Sequence, residues 1–138
     1  MADAIWTEPK TDWTATDAFD YTQYNRLTDN ITFLKAFADT LFMHLTDLSL
    51  EREKTNLSLI YARHMNDIEN GLERLNKETY GLNIGETKTY KPNKNVPTYE
   101  EYNRIESACL ALHEELITHK NNLTRLGFTL GNQKGLKV

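Results

Sequence analysis

The chain lacks a second cysteine, a long apolar run, an excess of basic residues and a glycine-rich loop. Each lack excludes something. Cys109 alone cannot form an internal disulfide, and it leaves the redox compartment open. No stretch approaches the ~18 apolar residues of a membrane-crossing helix. The opening residues Met1-Ala2-Asp3-Ala4-Ile5-Trp6 have neither the basic flank nor the apolar core of a signal peptide. Synthesis in the cytoplasm is therefore the expectation. The net charge is −4 with the two signs mixed, so the basic face of a nucleic-acid binder is missing. Gly81, Gly85, Gly131 and Gly135 are too dispersed to cradle a phosphate.

Metal and nucleophile chemistry are as poorly served. No two of His44, His64, His113 and His119 lie three or four residues apart, the spacing that puts ligands on one helix face. Cys109 falls on an apolar seam with no base beside it, which predicts an inert thiol. The sequence predicts no catalytic residue, no metal, no cofactor, no small-molecule substrate, and neither nucleic acid nor membrane as a partner.

What is present is one domain's worth of chain, 138 residues, 39% apolar and 26% charged. Residues 1–19 read as an extended aromatic arm, since Pro9 disfavours helix before it and no 3.6-residue period appears. Asp20, with Gln23 three residues on, reads as the cap of a first helix over 20–48. Its seam is Tyr24, Leu27, Ile31, Leu34, Ala38, Leu41, Leu45 and Leu48, in alternating steps of three and four. A second helix is expected over 56–80, with Leu57, Tyr61, His64, Ile68, Leu72 and Leu75, stopping at Gly81. Residues 81–97 read as a loop, and Thr98 with Glu101 as the start of a third helix over 98–123. The alternation of Phe128, Leu130, Leu136 and Val138 around glycines predicts a β-like arm or hairpin over 124–138. The expected fold is mainly α: a three-helix bundle over 20–123 with an arm at each end.

One pattern recurs in all three helices. Tyr24-Asn25-Arg26-Leu27, Met65-Asn66-Asp67-Ile68 and Tyr102-Asn103-Arg104-Ile105 each place Asn between an apolar and a charged residue. Apolar positions follow four and seven residues after the aliphatic. Asn is a mediocre interior helix residue, so the repetition requires a reason. An amide both donates and accepts, which suits it to bond the backbone of a crossing loop. Arg26 and Arg104 would sit beside it, free to pair with Asp29 and Glu101 or with a partner.

The chain resembles small structural proteins encoded among the tail and appendage genes of phages and prophages of Gram-positive bacteria. The likeness lies in Trp6-Thr7-Glu8-Pro9-Lys10-Thr11-Asp12-Trp13, in Asp17-Ala18-Phe19 and in Tyr24-Asn25-Arg26-Leu27 with Asn30-Ile31 and Leu34. It continues in Tyr99-Glu100-Glu101-Tyr102-Asn103-Arg104-Ile105-Glu106 and in Phe128-Thr129-Leu130-Gly131-Asn132. Leu27 stands where Ile is usual, and Thr28 where the second copy has Glu106. The resemblance implies a virion component of the tail, baseplate or fibre-attachment region, with other virion proteins or further copies of itself as partners.

The residues expected to meet those partners are Trp6, Trp13, Phe19 and Tyr21 in the N-terminal arm and Phe128, Leu130, Leu136 and Val138 in the C-terminal one. Folding the aromatics back over the bundle is the alternative. Two other functions remain open on the sequence: a glycan-binding, host-recognition module using the Trp and Tyr faces, and a free-standing adaptor or regulator binding through a helix face.

Overall fold

The structure, a computed structural model, describes residues 4–132, with side chains through Leu126. Three helices form, α1 (Tyr21–Asp39), α2 (Ala62–Glu78) and α3 (Tyr99–Asn132), and there is no strand among the described residues. A long segment without helix or strand precedes each helix: residues 4–20, then 40–61, then 79–98.

Local chemistry sets the boundaries. Asp20 caps α1, its carboxylate accepting from the backbone N–H groups of Thr22 and Gln23. The fully buried stripe Tyr24, Leu27, Ile31, Leu34 and Ala38 then faces the core in alternating steps of three and four. The helix stops at Asp39 instead of running to residue 48. There the Thr40 hydroxyl and N–H both donate to the carbonyl of Phe37, and His44 turns left-handed at φ 63°. Leu41, Leu45 and Leu48 keep the helical spacing yet pack on the core from a non-helical segment. Gly71 makes room for that segment, because a Cβ there would lie 3.3 Å from Leu48.

α2 starts at Ala62 rather than 56, and Leu57, expected on its seam, lies in solvent at 88% exposure. His64 fixes the start, its Nδ1 accepting from the Tyr61 N–H at 2.8 Å as a Glu does in a capping box. Gly81 takes φ 60° past the end and donates to the Asn76 carbonyl, a left-handed stop. α3 runs through Asn132, so residues 124–132 are helix and not a β-like arm. The step of three or four continues along Leu116, His119, Leu123, Leu126 and Leu130. Gly127 and Gly131, which cost about 1 kcal/mol each in a helix, do not end the helix. Leu136 and Val138 lie outside the described residues.

The three helices run parallel. Near their N-termini Tyr24 of α1 sits edge-on to His64 of α2 at 6.0 Å, Arg26 of α1 pairs with Glu106 of α3, and Arg104 of α3 pairs with Glu69 of α2. At the other end Phe42, just past α1, and Tyr80, just past α2, both pack on His119 of α3. Each connecting segment must therefore travel the length of the bundle to begin the next helix. That explains why the connections are so long, where an up-down bundle needs only a few residues.

Candidate functional site

A segment crossing a helix without a sheet partner leaves its backbone N–H and C=O groups unpaired, and each buried orphan is costly. The repeated asparagines supply the missing partner. Asn25 accepts from the Lys54 N–H and donates to the Lys54 carbonyl, both at 2.8 Å. Asn66 does the same to Tyr90 at 2.7 and 2.8 Å, and Asn103 to Trp13 at 2.7 and 3.0 Å. Each amide thus closes both bonds of one residue, as a neighbouring strand would.

The three clamps form a closed ring. α1 holds the segment leading to α2, α2 holds the segment leading to α3, and α3 holds the segment leading to α1. Only the last closure lacks covalent continuity with the helix that holds it. It is reinforced by Asn30, whose amide grips both backbone groups of Thr7 at 2.9 and 2.8 Å. Asn76 holds Leu82 in the same way beyond the end of α2.

Three residues after two of the clamp asparagines stands a buried glutamate. Glu106, with no exposed surface, accepts from the Trp13 indole N–H at 2.6 Å, the Lys10 backbone N–H at 3.0 Å and both Nε and Nη2 of Arg26. Glu69 accepts from the Tyr90 hydroxyl at 2.6 Å, the Lys88 N–H and the Arg104 guanidinium. Each carboxylate therefore grips the side chain of the residue whose backbone the neighbouring Asn holds. Burial and the Glu69 carboxylate push the Tyr90 hydroxyl far above its ordinary range, fixing it as a donor.

The third pairing of the cycle, between α2 and α1, departs at both positions together. Thr28 replaces the glutamate and Asp67 replaces the arginine that would face it. A Glu at 28 opposite Asp67 would be a buried charge without a counter-ion. The Thr28 hydroxyl instead bonds the Tyr24 and Asn25 carbonyls of its own helix. Lys54, the residue Asn25 clamps, pairs with Glu51 at 2.7 Å, and Glu51 also meets Nε2 of buried His64 at 2.8 Å. Because His64 Nδ1 accepts from Tyr61, its proton sits on Nε2 and is donated to Glu51.

Hydrogen bonds from Lys54 and His64 hold the Glu51 carboxyl down at about 2. Its folded-state pKa is thus depressed, and its contribution is complete above the ordinary carboxyl value near 4.5. We expect stability to fall as pH drops from about 4.5 toward 2, with Glu51→Gln flattening that limb of an acid denaturation curve.

Gly85 carries a second expectation. It holds φ 85°, and a Cβ there would lie 2.6 Å from the Arg104 Cδ. Gly85→Ala should cost about 1–3 kcal/mol in urea unfolding, from backbone strain plus displacement of the guanidinium from Glu69.

The residues expected from sequence to meet partners are largely used within the fold. Trp13 is buried, with its ring 5.0 Å from that of Tyr102. Trp6 stacks on His113 at 3.9 Å, and Phe19 stacks on Tyr102 at 4.3 Å. Tyr21 is half-buried at the start of α1. Phe128 and Leu130 fall within α3 beyond the described side chains. Arg26 meets Glu106 and not Asp29, which pairs with Arg52, whereas Arg104 meets both Glu101 and Glu69.

Among the described residues no three His, Cys, Asp or Glu side chains are grouped to hold a metal ion. Cys109 is buried, and burial pushes its thiol well above the usual range, opposing the nucleophilic thiolate. No described helix is long and apolar enough to cross a membrane. A groove of about 680 Å³ lies at the N-terminal end of the bundle between Ile60, Tyr61, Met65, Tyr90, Val96 and Pro97.

Glu69 and Glu106 were the residues sequence reasoning missed. Their shared place, three after Asn66 and Asn103, was the available signal. In comparisons with protein-family models, curated proteins and solved structures, the chain matches none.

Proposed function

We propose that the chain is a structural component of a phage virion, a non-catalytic helical connector of the tail, baseplate or fibre-attachment region acting through protein–protein contacts. The observation that supports it most is the distribution of exposed apolar side chains. Toward the N-terminal end of the bundle Val96 stands in solvent at the groove, and Leu57 and Leu59 do so in the segment that leads into α2. At the opposite end Met43, Leu123 and Leu126 do so. A bundle whose buried polar groups are spent on holding it together, and which carries apolar side chains in solvent toward both ends, is suited to join neighbours. The resemblance to tail-region proteins supplies the virion context.

Mass spectrometry of virions purified after induction should find the chain in fixed proportion to the other tail proteins. Its confinement to the soluble lysate would refute the reading. The variant Leu57→Ser/Leu59→Ser removes no buried contact and should change stability by less than about 0.5 kcal/mol. It should nonetheless lower incorporation into particles, measured by the same spectrometry.

A further inference from the structure

The segments over 40–61 and 79–98 are joined to a helix at each end, whereas the segment over 4–20 is joined to α1 alone. It runs up α3, from Trp6 on His113 to Trp13 on Asn103, and must reverse before α1 begins at Tyr21. Residues 14–18 make the reversal, and all of them are exposed. The turn is held by the Thr14 N–H and hydroxyl, which donate to the Asp17 carboxylate, and by the Asp17 N–H, which donates to the Thr14 carbonyl. Lys10 adds a loose pair to Asp17 at 3.7 Å. No buried group takes part in the turn.

Straightened, residues 14–20 reach about 24 Å. The segment would then leave its own bundle and enter a second one inverted above it, where the same groove between α1 and α3 offers every bond again. That geometry sets the N-terminal ends of the two bundles face to face. The end in question is open and apolar. Phe19, Ile60 and Pro97, each two residues ahead of its helix, all line the groove of about 680 Å³. The residues immediately before them, Ala18, Leu59 and Val96, stand in solvent, the last two at 65% and 78% exposure. Lys91, Lys94 and Glu100 are exposed on the same stretch of chain, so two such ends bring both signs of charge together.

We infer that two copies of the chain exchange their leading segments, each laying residues 4–13 between α1 and α3 of the other, with the N-terminal ends of the bundles in contact. Trp13 of one copy then completes the donors around Glu106 of the other. The buried bonds of the clamp are kept, the exposed turn is given up, and apolar surface that a single chain leaves in water is covered. The arrangement is two-fold symmetric and closed. Within one chain the segment competes for its own groove at an effective concentration on the order of 1 mM, so exchange becomes visible near that protein concentration. It concerns the purified protein and stands whether or not the chain is found in virions.

Light scattering on the full-length chain at about 1 mM should show a species of twice the 16.0 kDa chain mass beside the single chain. Diluted roughly a hundredfold, that species should persist for hours, since neither copy can leave before Trp13 is released from its groove. Asn103→Ala loosens this hold and should speed the decay about tenfold. Removing Ala15 and Thr16 leaves five residues between Trp13 and Tyr21, too short a link to turn back on its own bundle. That chain should show the doubled mass already at about 10 μM, with its helical circular dichroism retained. A wild-type chain of single mass at the highest concentration would overturn the inference. So would a doubled species lost within the mixing time, a decay unchanged by Asn103→Ala, or a folded shortened chain of single mass. If the shortened chain fails to fold, the dilution experiment on the wild-type chain decides alone.

Discussion

Trp13→Ala should lower folding stability by about 3–5 kcal/mol, a loss large enough to shift a thermal midpoint by roughly 10 °C. Two effects add. The indole is buried against Phe19 and Tyr102, and deleting it leaves a cavity at the junction of the leading segment with α3. Its N–H is also one of the donors to Glu106, which has no solvent to turn to. Trp13→Phe separates the two effects. It keeps most of the apolar area and loses the indole bond, so it should cost about 1–3 kcal/mol. Urea denaturation of both variants checks the order. Equal losses would mean that the bond to Glu106 carries the whole effect and the packing none, and an unchanged Trp13→Phe would mean the reverse.

The second large effect is expected at the cations. Arg26→Met should cost about 3–5 kcal/mol, because it strands Glu106 as a buried charge without a counter-ion. Arg104→Met should act alike through Glu69, whose side chain is just as buried. The exposed pair Lys10–Asp12 makes a useful contrast, since solvent screens it and breaking it should leave the urea midpoint nearly unchanged. Adding Glu106→Gln to Arg26→Met should recover much of the loss. The amide oxygen still accepts from one of the two donors, Trp13 or Lys10, which bond different oxygens of the carboxylate, and the uncompensated charge is gone. A double variant no more stable than Arg26→Met alone in the same urea titration would show that the charge is not what makes the single substitution costly.

The Asn motif was legible in the sequence because three helices share it and because an amide's chemistry is two-sided. The partners it holds were not legible, since Trp13, Lys54 and Tyr90 have no residue type in common. They need not have one. Asn25, Asn66 and Asn103 grip backbone, so the side chain at the gripped position is free to vary.

The end of α1 misled for a different reason. Leu41, Leu45 and Leu48 carry helical spacing, but the chain needs that length to return along a parallel bundle. Packing against Gly71 then prevails over local period. At the C-terminus the error ran the other way. The alternation around Gly131 reads as a turn, while α3 runs on through Asn132. Nothing in the sequence marks Glu69 and Glu106 as buried, because it shows the carboxylate and not the three or four donors around it.

The ring of clamps is tested most directly by amide hydrogen exchange at three residues that belong to no helix or strand. The N–H groups of Trp13, Lys54 and Tyr90 each donate to an Asn side chain. Followed by NMR in the folded protein, they should exchange as slowly as amides inside the helices, opening only with global unfolding. Asn103→Ala should release the Trp13 amide and leave those of Lys54 and Tyr90 protected. Exchange of all three wild-type amides at the rate of an unstructured peptide would contradict the account.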